Sequence, residues 1–171
     1  MAKIAAMLTV LLSGTWIGIR MADRLKCRLL TLKRIDAYFR RLMTGMAYAR
    51  SPLTELACRA ADGGNDPLFR AFGEGLLNGA SPSGAWRDAM RRAAREDGGI
   101  SCLTARDTKL LEGFVATLGT SDLRSQKEYA CLLFAELTDA ISEAERNYTG
   151  KARIYRSLGA LGGVAVAILL L

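Results

Sequence analysis

Apolar residues follow two regimes along this chain: unbroken runs at the two ends, helical spacing between them. Residues 4–19 (IAAMLTVLLSGTWIGI) and 158–171 (LGALGGVAVAILLL) carry no charge. From residue 25 onward Leu32, Ile35, Phe39, Leu42, Met46 and Ala49 recur at alternating spacings of three and four, the seam of an amphipathic helix, while Asp36, Arg40 and Arg41 are directed elsewhere. A second stripe, Leu123, Gln126, Ala130, Leu133, Leu137, Ala140 or Ile141, Ala144 and Tyr148, leads through Gly150 into the final apolar run. No proline interrupts residues 1–50, so the first run and the first seam predict one nearly continuous helix. The two long helices are natural antiparallel partners whose seams bury each other.

Shorter helices are expected between them, and their starts are marked. Each of the three prolines follows a capping residue: Ser51-Pro52, Asp66-Pro67 and Ser81-Pro82. The side-chain oxygen accepts a free N–H of the first turn, and proline takes the position whose N–H has no partner. Helices follow at about 52–62, 67–78 and 82–96. The second presents Leu68, Phe72 and Leu76, and the third Trp86, Ala89, Met90 and Ala93. A loop through Asp97, Gly98, Gly99, Ile100 and Ser101 leads to a helix at about 105–118 with Leu110, Leu111, Phe114, Val115 and Leu118 inside. Gly119 then serves as a left-handed stop, and Thr120 or Ser121 caps the last long helix. Gly73-x-Gly75 reads as a close helix contact. No alternating strand pattern occurs.

The terminal runs read as membrane segments. At 1.5 Å per residue their cores span roughly 24 and 21 Å, short of a bilayer core of about 30 Å. Snorkelling of Arg20 and Arg156 allows about one further turn each. A cleaved signal peptide is the competing reading of the first run, but no small-residue cleavage site precedes Arg20. Nine basic residues flank the inner sides: Arg20, Arg24, Lys26, Arg28, Lys33, Arg34, Lys151, Arg153 and Arg156. The positive-inside bias therefore directs both segments in from the cytoplasm. Each run carries a GxxxG pair, Gly14 with Gly18 and Gly159 with Gly163, where helix backbones can approach closely. The expected fold is all-α: a helical bundle of about six helices between two short terminal transmembrane helices. Residues 1–22 form one transmembrane segment, 23–153 the cytoplasmic bundle and 154–171 the second segment.

Composition narrows the chemistry. The 171 residues include no histidine, which excludes imidazole base catalysis and His-based metal sites. Cys27, Cys58, Cys102 and Cys131 form no CxxC pair and read as reduced, small buried apolar residues. No GxxxxGK[ST] loop is present. Glu136, Asp139 and Glu143 share one helix face, best read as solvated. No enzyme, cofactor or metal is expected. The net charge of +7 gathers largely beside the apolar runs, which favours an anionic membrane surface over nucleic acid. Arg87, Arg91 and Arg95, with Arg92 beside them, recur at helical spacing opposite the Trp86 stripe. They are a solvated face or, more sharply, a docking surface for an acidic partner.

Several short motifs follow one another along the chain: Thr15-Trp16-x-Gly18, Tyr48-x-x-Ser51-Pro52-Leu53-x-Glu55-Leu56, Ser83-x-Ala85-Trp86, Leu118-Gly119-x-Ser121-Asp122, Gln126 and Tyr155-Arg156-Ser157-Leu158-Gly159-x-Leu161-Gly162-Gly163. Their order resembles the stage III sporulation protein AB family. Leu123-Arg124-Ser125 departs from the family pattern, which tends to be more charged there. The resemblance implies a non-enzymatic scaffold of a sporulation channel or secretion-like complex, in the mother-cell membrane facing the forespore, with its soluble domain in the cytoplasm. It also implies a domain similar to the platform proteins of type II secretion and type IV pili. Expected partners are other membrane subunits of that complex, a secretion-type ATPase and the membrane itself, with homo-oligomerisation left open. The alternative is a membrane-tethered basic helical module binding anionic lipid headgroups or nucleic acid.

Overall fold

The computed structural model describes residues 2–48, 51–62, 66–96, 99–118 and 123–169, the outermost parts of the first and last helices mostly as backbone. Six α-helices follow one another: α1 (Ala2–Tyr48), α2 (Leu53–Asp62), α3 (Pro67–Leu77), α4 (Pro82–Glu96), α5 (Ala105–Thr117) and α6 (Leu123–Leu169). A 3-10 turn, Ile100–Cys102, stands before α5 where a plain loop was expected. No strand occurs among the described residues. Both α1 and α6 run to 47 residues, as the absence of internal proline allows.

Two compact units divide the chain. One comprises Met1–Leu29 with Ser142–Leu171, the other Leu30–Ile141. In the first, Gly18, Ala22, Leu29 and Ala144 are buried, and Arg28 of α1 pairs with Glu143 of α6 at 3.5 Å. Among the described residues no helix is long and apolar enough to cross a membrane. Most side chains of residues 4–19 and all of those at 158–171 lie outside the described ones, so the two expected spans are not tested there.

The second unit is built on the seam of α1. Leu32, Phe39 and Leu42 are wholly buried and Ile35 nearly so, as their spacing predicts. Tyr38, outside that seam, is buried as well, because α1 carries helices on more than one side. The result is an aromatic cluster. Tyr38 stacks on Phe69 of α3 with centroids 3.9 Å apart. Phe39 meets Phe114 of α5 edge-on at 5.1 Å and Trp86 of α4 at 5.5 Å, and Phe72 stands edge-on to Trp86 at 5.4 Å. Such pairs add about 0.5–1.5 kcal/mol beyond their area burial. The α6 stripe contributes Gln126, Ala130, Leu133 and Leu137 to the buried set. Met46, Leu110 and Tyr148 are only half-buried.

Helix starts follow the expected chemistry at two of the three prolines. Asp66 accepts from Leu68 N at 3.0 Å and Ser81 Oγ from Gly84 N at 3.2 Å. Asp66 also meets Arg34 of α1 at 3.2 Å, so one carboxylate caps α3 and ties it to the long helix. At the remaining one, α2 begins at Leu53, after Pro52. Two devices were not foreseen. Thr104 and Asp107 form a capping box at α5, and Gly79 ends α3 in the left-handed region at φ +80°, with Ala80 N donating to Gly75 O. Thr31 Oγ1 donates to Gly99 O and fixes the 3-10 turn against α1.

The two glycines of α3 are contact points, as their spacing suggested. A Cβ on Gly73 would lie 2.9 Å from Cys58 Sγ in α2, and one on Gly75 would lie 2.8 Å from Ala85 Cβ and 3.2 Å from Ala85 Cα in α4. Short helices thus approach backbone to backbone where side chains are smallest. Gly75→Ala should lower stability by about 1–3 kcal/mol in denaturant unfolding, because Ala85 cannot turn aside. Gly113→Ala, with nothing within 4 Å of the added carbon, should stabilise by up to about 1 kcal/mol.

Burial pushes the Tyr38 phenol above its ordinary range, with the Cys58 thiolate adding to the shift, and Tyr38 Oη donates to Ala57 O at 3.3 Å. The folded state favours the neutral phenol. Its contribution is therefore fully present below the unfolded pKa of about 10 and is lost as pH rises beyond it. Unfolding midpoints measured from pH 8 to 11 should fall above about pH 10, and Tyr38→Phe should flatten that fall while costing about 1 kcal/mol at pH 8.

Candidate functional site

Helix α4 has a sharp division of faces. Ala85, Trp86, Ala89, Met90 and Ala93 are buried, and Arg87, Arg91, Arg92 and Arg95 are exposed. The seven-residue register that turns Trp86 inward places the arginines outward. Asp88 pairs with Arg91 at 2.5 Å, and Arg87 Nε donates to Ser83 O at 3.3 Å. Arg87, Arg92 and Arg95 meet no carboxylate among the described residues. The row is exposed, as its spacing opposite Trp86 suggests, and of the two acidic residues expected to ease it, Asp88 and Glu96, only Asp88 pairs with one of these arginines among the described residues. Beside it, Ser83, Trp86, Arg87 and Glu112 enclose a recess of about 220 Å³.

A second cationic stretch lies in α1. Arg20, Arg24 and Lys26 are exposed, and the Arg20 guanidinium sits 4.7 Å from the centroid of the Trp16 ring, itself 60% exposed. Cation–aromatic pairs of this kind are held more tightly where water is partly excluded. Of the glycines expected to pack helices, Gly18 is buried, while the surroundings of Gly14, Gly159 and Gly163 lie outside the described side chains.

Among the described residues no group of three His, Cys, Asp or Glu side chains converges as a metal site would require. Glu136, Asp139 and Glu143 are exposed, as a solvated face should be. The four cysteines form no disulfide, but the expectation that they are buried is corrected: Cys27, Cys58 and Cys102 are half-buried and Cys131 is exposed. Cys131 lies off the α6 seam, one position beyond buried Ala130, which turns it outward.

One concavity had no counterpart in the sequence reading. Met43, Met46, Ala47 and Tyr48 of α1 and Gln126, Ala130, Cys131 and Phe134 of α6 line a groove of about 460 Å³, with Arg40, Thr44 and Lys127 completing it. Arg40 is held there by Asp36 at 2.8 Å and by the Phe134 ring, 4.5 Å from its guanidinium carbon. The hydrogen bond to Asp36 raises the Arg40 pKa above its ordinary value, against an opposing effect of burial and with a lesser contribution from that carboxylate's charge. At the end of the first seam Met46 is half-buried and Tyr48 exposed, which is the local trace of the groove.

Comparison with known proteins decides the family. The family model for stage III sporulation protein AB matches residues 3–171. The chain belongs to the stage III sporulation protein AB family. A curated member, stage III sporulation protein AB of Bacillus subtilis (strain 168), is 25% identical over 175 residues, covering 100% of both chains. No solved structure matches.

Several residues that carried the resemblance to stage III sporulation protein AB are parts of the core: Leu56, Ala85, Trp86, Leu118 and Gln126 are all buried. Others are not. Trp16 and Tyr48 are 60% and 88% exposed, so packing of the described chain does not account for them. Because the α4 arginines are outside the core, the triple reversal Arg87→Glu, Arg91→Glu and Arg95→Glu should leave unfolding stability within about 0.5 kcal/mol per site. Denaturant titration followed by circular dichroism checks this.

Proposed function

We propose that this sporulation protein is a non-enzymatic, membrane-anchored subunit of a channel or secretion-like complex between mother cell and forespore. In this reading its helical unit docks other subunits, a secretion-type ATPase among them, through the arginine row of α4. The observation that carries it is the match to a sporulation family along almost the whole chain, residues 3–171. The anchor reading is supported by the uncharged runs at 4–19 and 158–171 and by the exposed basic residues Arg20, Arg24 and Lys26 next to the first. The docking reading is supported by the unneutralised arginines Arg87 and Arg95, which favour a partner of opposite charge. The similarity to platform proteins that the family resemblance implies supports the ATPase as one such partner.

A second reading shares the anchor but not the docking. Trp16 beside Arg20, with Arg24 and Lys26 following, suits contact with anionic lipid headgroups, where each basic residue contributes about 1 kcal/mol. Release of the chain from washed membranes by high salt or alkali would count against both readings, since a spanning segment resists extraction. Copurification from sporulating cells separates them. The Arg87→Glu, Arg91→Glu, Arg95→Glu chain should lose at least about tenfold of its ATPase or membrane-subunit partner while remaining in the membrane. Full recovery of every partner removes the arginine row from the docking role and leaves the lipid reading standing.

A further inference from the structure

The groove between α1 and α6 within the Leu30–Ile141 unit is more than a surface irregularity, because its lining is unlike either a finished core or ordinary surface. About 460 Å³ lies within the range of roughly 300–1,000 Å³ usual for binding sites. Met43, Met46, Ala47, Ala130 and Phe134 make it largely apolar, and methionines adapt readily to differently shaped guests. Tyr48 stands beside them 88% exposed.

Gln126 gives the groove its chemistry. It is only 4% exposed and lines the groove, yet its side-chain amide makes no hydrogen bond among the described residues. At the groove wall that amide is left available to an incoming group. An amide both donates and accepts, so its natural complement is a peptide group, which does the same. The rim adds a sign: Arg40 and Lys127 line the groove, and none of its lining residues is acidic. Arg40 is positioned by Asp36 and Phe134, whereas Lys127 is exposed and forms no ion pair among the described residues.

We propose that this groove is a binding site for a protein partner that inserts an apolar side chain among Met43, Met46 and Phe134. Gln126 pairs with a main-chain amide next to that side chain, and acidic residues flanking it meet Lys127 and Arg40. The site uses none of the α4 arginines, so it stands or falls separately from docking through that row.

Cys131 supplies the readout, since it lines the groove and is exposed while the other three thiols are half-buried. The full-length chain in lipid nanodiscs is labelled with a bulky thiol reagent, and modification of Cys131 is followed by peptide mapping. The probes are three blocked tetrapeptides: Glu-Leu-Phe-Glu, Lys-Leu-Phe-Lys and Glu-Ser-Ser-Glu. The first should slow Cys131 labelling at least about fivefold and the other two less than about twofold, because only the first matches both the apolar floor and the rim charge. Gln126→Leu, which keeps the volume, should weaken protection by about tenfold, as expected for loss of a buried hydrogen bond. Lys127→Glu lies on the exposed rim, keeps the fold, and should shift the preference toward the lysine peptide. Equal protection by all three peptides, or by none, overturns the proposal, as does unchanged protection in either variant. Labelling that responds to anionic lipid in the disc but to no peptide assigns the groove to lipid and overturns it as well.

Discussion

Burial of the α1 seam is the constraint on which the folded unit rests. Helices α2 to α5 are 10, 11, 15 and 13 residues long, lengths at which isolated helices are marginal in water. Each of α3, α4 and α5 places an aromatic ring in the cluster around Tyr38 and Phe39. The long helix is thus a common wall, and the short ones are held by what they bury against it and against each other. Gly73 and Gly75 let α3 come close to both α2 and α4, so these short helices approach nearly backbone to backbone. Polar ties then set position along the wall: Arg34 to Asp66 at the start of α3, Thr31 to Gly99 before α5.

The sequence was legible where one residue type has one strong local consequence. Proline after aspartate or serine located α3 and α4 to within a residue, and the spacing of Leu32, Ile35, Phe39 and Leu42 identified the buried face. What it hid depended on substitutions within a rule or on distance in the chain. The capping box at α5 uses Asp107 where glutamate or glutamine is the usual partner, and the stop of α3 at Gly79 followed a helix whose apolar pattern had already ended. Tyr38 fell outside the seam because a heptad seam describes a helix with one neighbour, and α1 has several.

The candidate sites divide in the same way. The arginine row is a property of one helix and could be placed from spacing alone. The groove joins residues 40–48 to residues 126–134, and concavity is invisible to any local pattern. Gln126 was recognised as part of the α6 stripe, and its burial bears that out, but a seam position says nothing about whether an amide has found a partner. The terminal runs are the reverse case: their apolar character is plain in the sequence, while most of their side chains lie outside those described.

The distribution of tryptophan has a practical consequence. The chain contains two, and they belong to different compact units: Trp86 is wholly enclosed among Phe39 and Phe72, whereas Trp16 is 60% exposed beside a guanidinium. Their indoles therefore sit in different surroundings, one sealed in the core and one on the outside of its helix beside a cation. A quencher dissolved in water spares the first and one carried in the lipid phase probes the second, so natural fluorescence follows each half of the protein on its own.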